Sequence, residues 1–199
     1  MIILAFTDIH SNAKALKEIK RKSEQADVLV DAGDISVFEK DLEKSLRFLD
    51  KIGKPVFIVH GNHETEDIMR KTAGLFKNIN FIHRRSVLFN DVLFVGYGGG
   101  GFSSDDKRLD NFACSDIVKK IKSNVKTIVF VCHSPPYNTK QDLLMDEQHC
   151  GNKSVNRFIK DIKPKLVVTG HIHENFNTVD KIYNTAVVNP GPYGRLLKV

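Results

Sequence analysis

The sequence predicts an α/β fold with a parallel-rich part and an antiparallel-rich part that packs as a second sheet. Three observations lead there. Over the first sixty residues, apolar runs rich in β-branched residues alternate with helical patterns, the rhythm of a parallel sheet with right-handed crossovers. Between Asn80 and Val95, short strand-like pieces instead follow one another across turn residues. Five of the apolar runs along the chain end abruptly in Asp, Asn or His, where hydrophobic burial no longer explains the residue type.

The elements follow in order. Residues 2–6 predict the first strand, which leads into Asp8 and His10. Ser11 and Asn12 suit the cap of a helix over 13–25, with Ala15, Leu16 and Ile19 on one face, so Asn12 reads as a cap and not a ligand. Residues 28–30 form a strand that passes through Gly33 to Asp34. Leu42, Leu46 and Leu49 are spaced for a second helix, which closes near Gly53. Residues 56–59 make a third strand, ending in Gly61-Asn62-His63-Glu64. Short strands are expected at 80–83, 86–89 and 92–95, with Asn90-Asp91 turning a hairpin. The run Gly98 to Gly101 reads either as a mobile loop or as backbone that must approach a substrate closely. A helix over 115–122 precedes a strand at 128–131, which ends in His133 and is stopped by Ser134-Pro135-Pro136. Residues 142–150 look irregular, 155–162 helical, and 166–168 form a strand leading through Gly170 to His171 and His173. The tail reads as short antiparallel strands around the rigid turn Asn189-Pro190-Gly191-Pro192.

Composition bounds the function. The 199 residues suit one domain, 1–199, with no linker, repeat or low-complexity tract. The net charge of +6 comes mostly from Lys, clustered at 14–22 and 119–126, and reads as solvated helix faces. No basic run alternates with aromatics as a nucleic-acid platform does, so nucleic acid is not a favoured partner. No apolar run could span a membrane. Cys114, Cys132 and Cys150 form no CxxC pair and, with no signal-peptide pattern at the N-terminus, point to the cytoplasm; Cys132 reads as a small buried hydrophobe.

The strand ends carry the chemistry. In open α/β sheets, ligands bind beyond the carboxyl ends of the strands. Asp8, His10, Asp34, Asn62, His133, His171 and His173 would therefore share one site. Imidazoles with hard oxygens suit Mn, Fe, Co, Ni or Zn. Seven donors are too many for one tetrahedral ion and about right for two divalent ions sharing a carboxylate, with Asp34 the natural bridge. Of the remaining histidines, His60 reads as structural, His83 as a surface residue, and His149 as a loop residue that could face substrate.

Asp8-x-His10, Gly33-Asp34, Gly61-Asn62-His63-Glu64, His133 and Gly170-His171-x-His173 together resemble the calcineurin-like metallophosphoesterases over nearly the whole chain. His133-Ser134-Pro135-Pro136-Tyr137, Gly170-His171-Ile172-His173-Glu174 and Asn189-Pro190-Gly191 are similar to a group of small, single-domain cytoplasmic members, in which Ser is usual at the position of Asn152. The resemblance implies a β-sandwich of two mixed sheets flanked by helices. It implies one metal on Asp8, His10, Asp34 and His173, and a second on Asp34, Asn62, His133 and His171, with Mn the first choice in vitro. It implies that His63 is a catalytic acid and that Glu64 orients it.

That assignment makes chemical sense. Two cations lower the pKa of a shared water, so that hydroxide for in-line attack exists near neutral pH, and His63 as imidazolium can protonate the leaving alkoxide. The expected substrate is a small phosphate ester. No Arg lies within the motif stretches to grip a second phosphate charge, which favours diesters over monoesters. A nuclease and a non-catalytic scaffold of the same fold are the alternatives. The presence of His63 argues against the scaffold, and the oligomeric state stays open, a dimer included.

Overall fold

A computed structural model of the chain describes residues 1–115 and 127–199. All of the helix expected over 115–122 except Ser115, and the lysines of 119–126, fall on residues outside that range.

The first sheet has five strands. β1 (Ile2–Phe6), β2 (Val28–Asp31), β3 (Val56–Ile58) and β4 (Ile79–Phe81) are parallel, and β11 (Arg195–Lys198) runs antiparallel to β1 at the edge. The second sheet has six. β6 (Val92–Tyr97), β7 (Thr127–Cys132), β8 (Leu166–Val168) and β10 (Thr185–Val188) are parallel. β5 (Arg85–Phe89) and β9 (Val179–Ile182) are the antiparallel edges.

The layers follow from strand alternation. On β1, Ile3 and Ala5 face the second sheet, where they meet Phe94, Val129, Val131 and Val168 in one buried cluster. Leu4 and Phe6 face the other way, under α1 (Ala13–Ser23), α2 (Leu42–Asp50) and α3 (Glu66–Ala73). The second sheet's outer face packs under α4 (Lys107–Ala113) and α5 (Lys153–Ile162), with the rings of Phe130 and Phe158 stacked at 4.1 Å. A strand covered on both faces has no polar side to show, and that is why these strands read as continuous apolar runs. Each large side chain so buried contributes roughly 1.5–3 kcal/mol.

Asn12 accepts from the backbone N–H groups of Lys14 and Ala15, the capping role expected of it. Asn90 and Asp91 turn the β5–β6 hairpin, both at positive φ (46° and 64°), as a twisted two-residue turn requires. The structure departs from the expectation in four places. The strand expected at 80–83 with the antiparallel part is β4, which lies in the first sheet parallel to β3. The second sheet is parallel at its centre and antiparallel only at its edges. The C-terminal strand crosses back to the first sheet, because β1 has an open edge. Helices α3 and α4 were not expected from the pattern. Each buries only two residues, Met69 and Ala73 in α3 and Leu109 and Phe112 in α4, too few to show a period. Their caps, Thr65 and Asp106, were the legible signal.

Candidate metal centre

The strand ends of both sheets meet. The loops after β1, β2 and β3 come from one sheet and those after β7 and β8 from the other. Short backbone bonds knit them together: Asp8 N–H to the Gly33 carbonyl (2.9 Å), His10 N–H to the Asp34 carbonyl (3.0 Å), and Gly170 N–H to the His133 carbonyl (3.0 Å). Asp8, His10, Asp34 and His171 all take left-handed φ (53°, 47°, 55° and 75°). Non-glycine residues there cost of order 1–3 kcal/mol each, and such strain collects at functional sites. Gly61 allows the closest approach. A Cβ at that position would stand 2.0 Å from Asp34 Oδ1.

All seven expected donors converge. His10 Nε2 lies 3.2 Å from His173 Nε2, and His173 Nε2 lies 3.5 Å from Asp8 Oδ1. His133 Nε2 lies 3.0 Å from Asn62 Oδ1 and 3.4 Å from Asp34 Oδ2. The His171 ring sits 5.2 Å from that of His133, and its Nε2 is buried with no hydrogen-bond partner among the described residues. Alternation along a strand would send His171 and His173 to opposite faces. The left-handed residue at 171 and a single 3₁₀ turn, His173–Asn175, return both to the same side.

Two rings have their outer nitrogen held by backbone. His133 Nδ1 bonds the Ala32 carbonyl (2.9 Å) and His10 Nδ1 the Ser36 carbonyl (3.1 Å). A carbonyl only accepts, so the Nδ1 atoms carry the protons. That turns Nε2 inward, where it can hold a second proton or, once that proton is lost, a metal ion, which is how metal-binding imidazoles are usually held. Three groups of ligand atoms lie within 4.8 Å of one another: Asp8, His10 and His173; Asp8, Asp34 and His133; and His10, Asp34 and His63. The donor set thus fits divalent first-row ions, and the orphaned His171 Nε2 gains a partner by it.

The electrostatics agree. Burial opposes ionisation of Asp34, but the hydrogen bond and charge of His133 outweigh it and hold the carboxyl at about 2. Burial likewise opposes charge on His133, and the Asp34 carboxylate overrides it, raising the imidazole to about 9. A proton on His133 therefore supplies the positive charge that a cation would bring to the carboxylate. His171, facing no carboxylate as directly, is depressed by burial to about 4 and is neutral, as a ligand must be.

His63 stands at the rim, its Nε2 3.9 Å from Asp34 Oδ2 and its ring 4.7 Å from that of His10. Among the described residues the Glu64 carboxylate makes no hydrogen bond to His63, contrary to the expectation that it orients that ring. Its carboxylate is buried and accepts from Ser36 N–H and Oγ (both 2.8 Å) and from Gly61 N–H (3.1 Å). Glu64 therefore braces the loop after β2 against the turn after β3, which needs a fixed carboxylate between two loops. Sequence reasoning missed Ser36 altogether, since a lone Ser carries no pattern.

His83 also corrects the sequence reading: it is buried, not on the surface. Its Nδ1 accepts from Gly98 N–H (2.8 Å), so the proton sits on Nε2, 3.4 Å from Glu66 Oε2. Burial, aided by His60, depresses His83 to about 3. The unfolded chain takes up this proton near pH ~6.5 and the folded one does not. Wild type should therefore lose stability steadily as pH falls from ~6.5 toward 3. His83→Asn keeps an acceptor for Gly98 and removes the titration, so its denaturant midpoint should fall less over that window. Parallel curves for the two proteins would show that His83 takes up its proton in the fold.

Two of the four glycines in the run leave no room for a side chain. A Cβ on Gly98 would lie 2.5 Å from His60 Nδ1, and one on Gly100 would lie 1.8 Å from Ser134 Oγ. A cavity of about 420 Å³ opens beside Asn62, with His60, His83, Arg84, Tyr97 and Arg108 in its wall. A cavity of about 560 Å³ between Lys160 and Thr185 contains no carboxylate or imidazole and is not this site. His149 lies outside the cluster. Its Nδ1 is 2.8 Å from the buried carboxylate of Asp142, which also accepts from the N–H groups of Asn138, Thr139 and Gly151. Cys132 is buried, as expected.

The family model for calcineurin-like phosphoesterase matches residues 1–175. An uncharacterised protein of Methanocaldococcus jannaschii is 33% identical, over 96% of this chain and 88% of its own. A Thermus thermophilus protein, TT1561, superposes with a TM-score of 0.78 at 18% identity, over 98% of this chain and 93% of its own. A dimetal phosphatase from Danio rerio superposes with a TM-score of 0.65 at 10% identity, covering 94% and 86%.

Proposed function

Because the chain belongs to the calcineurin-like phosphoesterase family, we propose that it is a two-metal hydrolase that prefers phosphodiesters and uses His63 as its general acid. The observation that supports it most is the convergence of donors from five strand ends: Asp8, His10, Asp34, His133 and His173 fall in the ligand groups, Asp34 in two of the three, and Asn62 and His171 lie beside His133. One ion would be held by Asp8, His10, Asp34 and His173, and a second by Asp34, Asn62, His133 and His171. Bound there, such ions acidify water and neutralise phosphoryl oxygens.

The chain's own residues do the rest. The carbonyls of Ala32 and Ser36 hold the Nδ1 atoms of His133 and His10, which keeps each Nε2 turned toward the site. Asp34 Oδ1 accepts from His63 N–H (2.9 Å), which ties the acid's backbone to the bridging carboxylate. Glu64 is a positioning residue that holds this turn. His63 keeps its ring at the rim, where it can give a proton to a departing oxygen. The whole of 1–199 acts as one domain, since the ligands come from both sheets. Arg84 is engaged by Glu66 through two 2.7 Å contacts, which leaves it poorly placed to grip a second phosphate charge; the diester preference rests on the lack of an Arg within the motif stretches themselves. Among the described residues no helix is long and apolar enough to cross a membrane. We place the protein in the cytoplasm on its three free cysteines.

The test is metal saturation followed by elemental analysis and a screen of phosphodiesters, phosphomonoesters, cyclic nucleotides and single-stranded DNA. About two ions per chain and faster diester turnover are expected. One ion or none overturns the two-metal reading, and a monoester preference across several metals overturns the substrate reading.

A further inference from the structure

Two strongly exposed side chains stand directly on the metal centre. Phe38 is 75% exposed, and its ring lies 4.4 Å from that of His63. Phe102 is 70% exposed, and its ring lies 4.7 Å from that of His171. A single exposed apolar residue is ordinary. Two phenylalanines, one carried by the loop after β2 and one by the loop after β6, each against a different histidine of one site, are not.

The backbone shows that neither ring is there to make its turn. Val37 and Lys40 pair across a tight turn whose central residues, Phe38 and Glu39, have φ of 48° and 67°. Such a turn favours Asn-Gly, and a bulky residue at positive φ is an outlier. Glu39 accounts for its own place by accepting from Thr65 N–H (3.0 Å) and Oγ1 (2.8 Å), which pins the turn to the start of α3. Phe38 joins none of the buried clusters, and among the described residues its ring pairs with His63. Phe102 follows Gly99, Gly100 and Gly101, with φ of 81°, 118° and 111°. Only glycines take that path readily, and it delivers the ring to His171.

We propose that Phe38 and Phe102 are specificity-determining residues that stack flat aromatic groups on the two arms of a phosphodiester. This rests on the diester reading above. His63 protonates the leaving oxygen, so the group on that oxygen extends past His63 to Phe38. The retained arm extends to the His171 side and Phe102. The ligand chemistry is an aromatic ring carried on a phosphate ester. The ring is either attached directly, as in an aryl ester, or set one sugar away, as in a nucleotide.

The test for the retained arm compares three esters that share the nitrophenolate leaving group: methyl p-nitrophenyl phosphate, bis(p-nitrophenyl) phosphate and thymidine 5′-(p-nitrophenyl) phosphate. Phe102→Ala should lower kcat/KM for an aromatic retained arm, relative to the methyl ester, by roughly tenfold. Phe102→Trp should restore the ratio. A loss confined to the thymidine ester selects the nucleotide, and a loss confined to the bis-aryl ester selects the aryl diester. An unchanged ratio for both overturns the role of Phe102. A second readout is independent of turnover. The chain has no Trp, so Phe38→Trp and Phe102→Trp each create a lone emitter. Adenosine 5′-monophosphate should quench each more strongly than ribose 5-phosphate. Equal responses to the two compounds overturn stacking at that position. Should wild type hydrolyse no diester, the functional reading fails, whereas the quenching still reports on the rings.

Discussion

Asp34→Asn is expected to strip both metal positions at once and to lower diester turnover on the order of 10³-fold or more. Asp34 is the carboxylate that faces both halves of the site. Its Oδ2 lies 3.4 Å from His133 Nε2 and 3.9 Å from His63 Nε2, and it shares ligand groups with Asp8 and with His10. An amide offers one neutral oxygen where the carboxylate offers two charged ones, so it cannot serve two cations. Two-metal charge stabilisation supplies several kcal/mol at the transition state, and ~4 kcal/mol corresponds to about 10³ in rate. Elemental analysis should fall from about two ions to well below one, with circular dichroism unchanged. Loss of a single ion would show that Asp34 is not shared.

His63→Gln is expected to keep the fold and both metals and to lower turnover by roughly 10²–10⁴, the usual worth of a positioned general acid. The loss should depend on the leaving group. An alkoxide cannot depart without a proton, whereas nitrophenolate can, so the deficit should be large for alkyl esters and small for nitrophenyl esters. The geometry makes this test discriminating. His63 lies close enough to His10 and Asp34 to form a ligand group with them. If His63 were a ligand, the variant would lose metal and slow both ester types alike. Full activity on every ester would point instead to hydrolysis by bound ions alone and to a function in the protein's surface.

The site was legible because its chemistry is incompatible with burial. Asp8, Asp34 and His133 are almost completely shielded from solvent, and each follows an apolar run that gives no reason for a charge. The helices at 13–23 and 42–50 were legible because each buries residues at helical spacing. Residues that support the site left no such mark. Ser36 matters through its carbonyl to His10 and its N–H and hydroxyl to Glu64, contacts that any loop residue could make in another fold. His83 looked exposed beside Arg84 and Arg85. It is buried because the chain leaving β6 brings Gly98 N–H onto its Nδ1, a contact across 15 residues.

The sequence alone determined which polar residues end the strands, because periodicity and polarity are properties of adjacent residues. Tertiary structure decided how those strand ends meet. Neighbouring positions do not reveal that β11 returns to β1, that Asp34 Oδ1 faces the backbone of His63, or that Glu64 bonds Ser36 and not His63. Nor do they reveal the two rings at the rim. Phe38 and Phe102 look like ordinary apolar residues along the chain, and only the left-handed turn and the glycine path place them on His63 and His171. Those placements depend on pairings between segments up to the full length of the chain apart. Packing two sheets face to face sets them, and no local propensity encodes that packing.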